Sequence, residues 1–239
     1  KPLVFVPGWT MDHSVFEGQQ AHFSKDHRVI LFDPPGCGES SRFERYDFAV
    51  YTDVLKALIT FLDLRDVTCV CWSMGGEIGI RYCHQRDERV SRLVLVCSTP
   101  SFVQREGWTW GMPLAVAKRF RRGLDRDPAG TFALFRQETM KGTMERRIEA
   151  LLIRSGIRSD VQMAKDLFDE FLVQDERPLL PRLDLPVCII SGVRDAVCSP
   201  QASIYMASVI PSAEHVISDT GHVPFLVAPG AFNEQLRSD

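Results

Sequence analysis

The sequence predicts an α/β protein: a mostly parallel, doubly wound sheet interrupted by a helical insertion. Three observations carry this. Short β-branched apolar runs alternate with amphipathic stretches through residues 1–100. From 101 to 178 the alternation breaks, and the chain turns helix-compatible, rich in arginine and bulky apolar groups. Sheet-like sequence then resumes at Val187. The expected division is a sheet core from 1–100 and 179–239, with 101–178 as a helical cap folded over the strand ends.

Taken in order, Pro2 to Val6 is a buried strand stopped by Pro7-Gly8, after which Trp9 and Thr10 open a loop. Asp12 to Ser24 has helical spacing at Val15, Phe16 and Phe23. Arg28 to Phe32 is the next strand. The turn formers Asp33-Pro34-Pro35-Gly36-Cys37-Gly38-Glu39-Ser40 close it as a structural loop with no assigned chemistry. Phe48 to Leu62 is an amphipathic helix with apolar groups at Val50, Val54, Leu55, Leu58, Ile59 and Leu62. It leads into the strand Val67 to Trp72, then Ser73-Met74-Gly75-Gly76 and a helix to His84. Val90 to Cys97 is a further buried strand, ended by Ser98-Thr99-Pro100. After the cap, Val187 to Ser191 runs into Gly192-Val193-Arg194-Asp195, and Glu214 to Ser218 into Asp219-Thr220-Gly221-His222-Val223-Pro224-Phe225. Strands joined by helices in this way form a parallel sheet with sites at the carboxyl ends of its strands. Trp9, Ser73, Ser98, Asp195 and His222 all fall there.

Bulk properties exclude several classes. With 239 residues, the chain can bury a substantial single core. A net charge of −3 from mixed signs gives no whole-chain nucleic-acid signature. No run of about 18 apolar residues suggests a membrane span. The seven cysteines (Cys37, Cys69, Cys71, Cys83, Cys97, Cys188, Cys198) are odd in number and lie mostly in apolar or strand-like contexts, as in a reduced, cytoplasmic protein. Cys69 and Cys71 share a strand face, but no His or second Cys pair at zinc-like spacing accompanies them, so a metal site is not expected. No signal peptide is visible. Lys1 leads straight into a strand, so the natural N-terminus is expected to precede it. Between Pro113 and Asp160, eleven lysines and arginines face six acids. Such an excess can steer an anionic partner to the mouth of the site, or can simply be a solvated helical face.

Ser73 is the candidate nucleophile. A strand, a tight turn and a helix hold such a hydroxyl clear of the sheet, with helix-terminal amides facing whatever it attacks. A helix N-cap serine beside a glycine turn is the alternative reading. The motif is G-x-S-x-G with Cys71 at the first glycine and Gly75 in place. A serine needs a base and the base an orienting acid; His222 and Asp195 fit, in the order Ser, Asp, His, with Asp219 the alternative acid. Backbone N–H groups of Trp9 and Met74 are the candidate oxyanion donors. The other five histidines (His13, His22, His27, His84, His215) have no such partner set.

On these residues the chain resembles the α/β-hydrolase superfamily over nearly its whole length. Within it, the chain is similar to the pimeloyl-acyl-carrier-protein methyl ester esterases of biotin synthesis. The resemblance is carried by Pro7-Gly8-Trp9, Asp33 to Ser40, Trp72 to Gly76, Ser98 to Phe102, Glu106-Gly107-Trp108, Glu138-Thr139-Met140, Gly192 to Asp195 and Gly221 to Phe225. Two positions depart from the family pattern, which has His at Pro7 and Gly at Cys71. The resemblance implies an α/β-hydrolase fold and a cofactor-free serine esterase that releases methanol. Phe102 and the segment Leu134, Phe135, Arg136, Gln137, Glu138 would join Trp9, Ser73 and Met74 in binding the acyl substrate. Arg122, Arg146 and Arg147 would meet an acidic acyl carrier protein, and a cytoplasmic monomer is expected. The alternatives are a general short-chain carboxylesterase, a relative of the menaquinone-pathway hydrolase, and a non-catalytic binding protein on the same fold.

Overall fold

The computed structural model describes residues 1–141, 143 and 145–237; residues 142 and 144 of the expected cap and 238–239 of the expected core lie outside it. Six strands, β1 (Pro2–Val6), β2 (Arg28–Leu31), β3 (Val67–Trp72), β4 (Val90–Val96), β5 (Val187–Gly192) and β6 (Ala213–Ser218), form one sheet. The order is β2-β1-β3-β4-β5-β6 and every pair is parallel. The reversal of direction at β1 and β3 is the switch point at which open α/β sheets place their sites. Strands β3 and β5 are buried along their whole length, as the unbroken apolar runs predict for a sheet covered on both faces.

Helices α1 (Glu17–Phe23), α2 (Phe48–Phe61) and α3 (Met74–His84) connect the first strands. Asp47 caps α2 by accepting from the Val50 amide, which fixes where the helix starts. Between β4 and β5 lie α4 (Leu114–Arg126), α5 (Pro128–Thr139), α6 (Arg146–Gly156) and α7 (Val161–Val173), followed by a 3-10 turn at Arg177–Arg182. The helical reading of this stretch agrees with the structure. It begins, however, with a small irregular loop held by bridges between Val103 and Met112 and between Arg105 and Trp108, which the sequence did not suggest. α8 (Pro200–Val209), α9 (Pro224–Val227) and α10 (Pro229–Arg237) complete the fold.

One departure from the family pattern has a packing explanation. Cys71 is fully buried on the face of β3 that meets α3. There Gly79 leaves the space its thiol fills: a Cβ at Gly79 would stand 2.6 Å from Cys71 Sγ. The bulk gained at position 71 thus fits only because position 79 has none. Gly79→Ala should therefore destabilise the protein by about 1–3 kcal/mol through overpacking. Adding Cys71→Ala should recover part of that loss, as read by urea denaturation; two strictly additive losses would show that the residues are uncoupled.

Candidate active site

Ser73 sits between β3 and α3 with φ of 54° and ψ of −121°, a left-handed conformation that non-glycine residues adopt only when the surroundings impose it. The surroundings here are unusually close. A Cβ on Gly75 would lie 2.5 Å from the Val6 carbonyl oxygen, and one on Gly76 would lie 2.1 Å from Ser98 Oγ. Only hydrogen at both positions lets the start of α3 press onto β1 and β4. The Ser73 amide donates to the Val96 carbonyl at 2.9 Å, and Ser98 Oγ donates to the Ser73 carbonyl at 3.1 Å. Ser73 makes no side-chain capping bond to α3, so the N-cap reading has no support in the structure.

The Ser73 hydroxyl instead meets His222 Nε2 at 3.0 Å, and His222 Nδ1 meets Asp195 Oδ2 at 2.8 Å. His222 and Asp195 are buried. The second carboxylate oxygen of Asp195 accepts from the amides of Val197 at 2.8 Å and Cys198 at 2.9 Å, which fix the orientation of the carboxyl group. Asp219, the alternative acid, is exposed and pairs with Arg194 on the surface, whereas Asp195 contacts His222. The indole of Trp72 donates to the His222 carbonyl at 2.9 Å and anchors the histidine loop to the strand that ends at the nucleophile. Ser98 and Trp72 thus have local positioning roles that sequence reasoning did not assign. Such an arrangement can move a proton from serine to imidazole while the carboxylate holds the ring in one tautomer.

Trp9 follows Gly8 at the end of β1, and Thr10 beyond it takes φ of 63°. Among the described residues neither the Trp9 nor the Met74 amide donates a hydrogen bond. The indole of Trp9 is buried among Phe120, Phe132, Phe135 and Phe168, with its N–H on the Ala164 carbonyl at 3.1 Å. Of the residues expected to line an acyl channel, Phe135 touches Trp9 at 4.9 Å between ring centres. Phe102 is buried one ring further away, against Phe168 and Phe171. Arg136 lines a cavity beside α5, whereas Leu134 and Gln137 face solvent and Glu138 pairs with Lys141. Arg122, Arg146 and Arg147 are exposed on α4 and α6, and Arg147 is paired with Glu145 at 2.7 Å.

Two thiols flank the acid. Burial foremost, then the Asp195 carboxylate, push Cys97 and Cys198 well above the usual thiol range, so neither supplies a thiolate. Ligand atoms of Cys97, Asp195 and His222 lie within 4.8 Å of one another, as do those of Asp12, His13 and Asp33. In each set the imidazole and a carboxylate already bond each other, at 2.8 and 2.6 Å. Glu77, one turn into α3, is 1% exposed, and its Oε1 has no hydrogen-bond partner among the described residues. Burial first, then the Glu176 carboxylate, raise it well above its ordinary value of 4.5.

The chain is similar to known proteins over nearly its whole length. The alpha/beta hydrolase fold family matches residues 1–229. The pimeloyl-[acyl-carrier protein] methyl ester esterase of Nitrosomonas europaea is 32% identical over 236 residues, covering 96% of this chain and 92% of that one. The protein of the same name from Nitrosospira multiformis is 28% identical, covering 96% and 90%. An esterase from Exiguobacterium antarcticum superposes with a TM-score of 0.94 at 24% identity, covering 99% of this chain and 90% of its own, and shares the fold.

The raised Glu77 carboxyl has a signed consequence for stability. A folded state that holds the proton more tightly than the unfolded chain loses stability as pH climbs above the unfolded value. Glu77→Gln removes the ionisable group at constant shape. It should change the melting temperature little near about pH 4 and raise it increasingly toward about pH 9; a gain independent of pH would show that the Glu77 charge has no part in it.

Proposed function

The chain belongs to the alpha/beta hydrolase fold family and is a carboxylic ester hydrolase; from that premise we propose that it cleaves the methyl ester of a pimeloyl chain carried on an acyl carrier protein, a step of biotin synthesis. The continuous contact from Asp195 through His222 to Ser73 is the observation that carries the mechanism. In this reading Ser73 Oγ attacks the terminal ester carbonyl as His222 Nε2 takes its proton. The Trp9 and Met74 amides hold the oxyanion. The imidazolium returns the proton to the departing methoxide, so methanol leaves and an acyl-serine remains. Water, giving a proton to His222, then attacks the acyl-enzyme, and collapse returns Ser73 and the free carboxyl group. Asp195 stabilises the imidazolium in both halves.

The substrate assignment is supported by the names of the relatives above and by the excess of basic residues between Pro113 and Asp160. The helical stretch 101–178 acts in this proposal as a cap whose exposed Arg122, Arg146 and Arg147 receive the acidic carrier, while Trp9 and Phe135 border the acyl chain. No metal or organic cofactor takes part in these steps. Cytoplasmic location and a monomeric state belong to the same reading; among the described residues no helix is long and apolar enough to cross a membrane.

The test is methanol release from the carrier-linked methyl ester, beside a short neutral aryl ester. Ser73→Ala should lower both rates by on the order of 10⁴-fold or more. The carrier-linked rate should also fall as salt rises past about 0.1 M, where charges more than ~10 Å apart are screened, while the aryl-ester rate should not. Cleavage of the aryl ester alone would keep the mechanism and discard the carrier. Undiminished activity in Ser73→Ala would discard both.

A further inference from the structure

Away from Ser73, one cluster of side chains has the donor set of a metal site. Asp12 and His13 lead into a short 3-10 turn, His13–Phe16, and Asp33 opens the turn-rich segment after β2. One ligand atom from each of the three lies within 4.8 Å of the others. The sequence gives His13 no partner and the Asp33 segment no chemistry; the parallel pairing of β1 with β2 brings their following segments together. Asp33 is held in a fixed orientation there. Its Oδ1 accepts from the His13 amide at 2.9 Å and its Oδ2 from the Glu39 amide at 2.8 Å. Gly38 permits this turn, with φ of 53° and a Cβ that would stand 2.2 Å from Asp33 Oδ2. His13 Nδ1 lies 2.6 Å from Asp33 Oδ1, so imidazole and carboxyl share a proton.

Two further observations point to a ligand. Asp12 is 0% exposed, and its Oδ1 is occupied by the Ser14 amide at 3.0 Å and hydroxyl at 2.5 Å. Its Oδ2 is buried and accepts no hydrogen bond among the described residues. Arg158 Nη1 stops 3.4 Å from that oxygen, while its Nη2 is bonded to Glu39. A buried carboxyl oxygen without a donor is costly, and a bound cation supplies what it lacks. The second observation is access. His13 and Asp33 line an open cavity of about 570 Å³, so a hydrated ion can reach them from solvent and keep a water ligand.

We propose that Asp12, His13 and Asp33 form a binding site for a divalent transition-metal ion of the zinc type, separate from the reacting centre. One imidazole nitrogen and two carboxylate oxygens are a mixed donor set that Zn²⁺ accepts, and water from the cavity completes four ligands. Bonds of about 2.1 Å at tetrahedral angles place ligand atoms roughly 3.4 Å apart. The His13–Asp33 contact must therefore open by about 0.8 Å, which the partly exposed His13 ring can do by rotating. The proton that His13 and Asp33 share goes to solvent, because a metal takes the ring nitrogen's lone pair. Arg158, 34% exposed in its side chain, withdraws from Asp12 and stays on Glu39. The ion ties the segment after β1 to the segment after β2, and no step of ester cleavage passes through it.

Calorimetric titration of the metal-free, untagged protein with Zn²⁺ tests it, with Mg²⁺ as the control ion. One Zn²⁺ should bind per chain, and Mg²⁺, which avoids imidazole, should not compete. Loss of a group that merely orients a ligand costs about 10–100-fold in metal affinity, so His13→Gln, which removes the ligand itself, should weaken Zn²⁺ about 100-fold or more. Arg158→Gln should tighten it about threefold, since the guanidinium no longer competes for Asp12. Aryl-ester hydrolysis should persist at the Zn²⁺ concentration that fills the site. No saturable binding, unchanged affinity in His13→Gln, or affinity in Arg158→Gln that does not rise would each overturn the proposal. So would binding that survives His13→Gln and stops hydrolysis, which would put the ion on Cys97, Asp195 and His222 instead. None of these outcomes bears on whether the carrier-linked ester is cleaved.

Discussion

The site depends on one steric constraint: α3 must begin within hydrogen-contact distance of β1 and β4. Gly75 and Gly76 meet that demand because any side chain there would run into the Val6 carbonyl or Ser98 Oγ. The close approach holds Ser73 at φ of 54°, at a cost of roughly 1–3 kcal/mol. Hydrogen bonds from the Ser73 amide to Val96 and from Ser98 to the Ser73 carbonyl offset part of that cost. A hydroxyl held on a rigid pivot against His222 Nε2 is the result. The same closeness explains Cys71, whose thiol would otherwise push β3 and α3 apart; Gly79 absorbs it.

A second constraint ties the loop after β1 to the helical stretch. The Trp9 indole donates to the Ala164 carbonyl, the Asp12 amide to Ser155 Oγ at 2.8 Å, and Ser159 Oγ to the Thr10 carbonyl at 2.5 Å. Four phenylalanine rings surround that indole. The segment carrying one of the proposed oxyanion amides is therefore clamped from α5, α6 and α7 together. Its position is set by long-range packing, and Thr10 adopts its left-handed turn under the same clamp.

Much of this was legible in the sequence because the determinants are local. Apolar runs bounded by turn formers give the strands, and the carboxyl ends of β3, β5 and β6 bring Ser73, Asp195 and His222 to one edge without knowledge of their distances. What was not legible depends on contacts distant in the chain or on helix phase. Ser98 acts through a carbonyl 25 positions away, and Trp72 through one 150 away. In α5 the contiguous apolar run Phe132-Ala133-Leu134-Phe135 leaves the buried face undetermined, since each choice of phase buries some of it. The structure turns Phe132 and Phe135 inward and leaves Leu134 59% exposed. A one-residue ambiguity in phase is enough to move a side chain from the cavity wall to solvent.

The distribution of hydrogen bonds separates two buried carboxyl groups near the nucleophile candidate. Asp195 and Glu77 are both buried close to Ser73. Asp195 has two backbone amides on one oxygen and an imidazole on the other, so its orientation is set before any substrate arrives. Glu77 Oε1 has no such partner among the described residues, and burial drives its carboxyl toward the neutral form. The thiols Cys97 and Cys198, pushed the same way, add no negative charge beside His222. An imidazolium formed at His222 is therefore stabilised by a single, well-held anion.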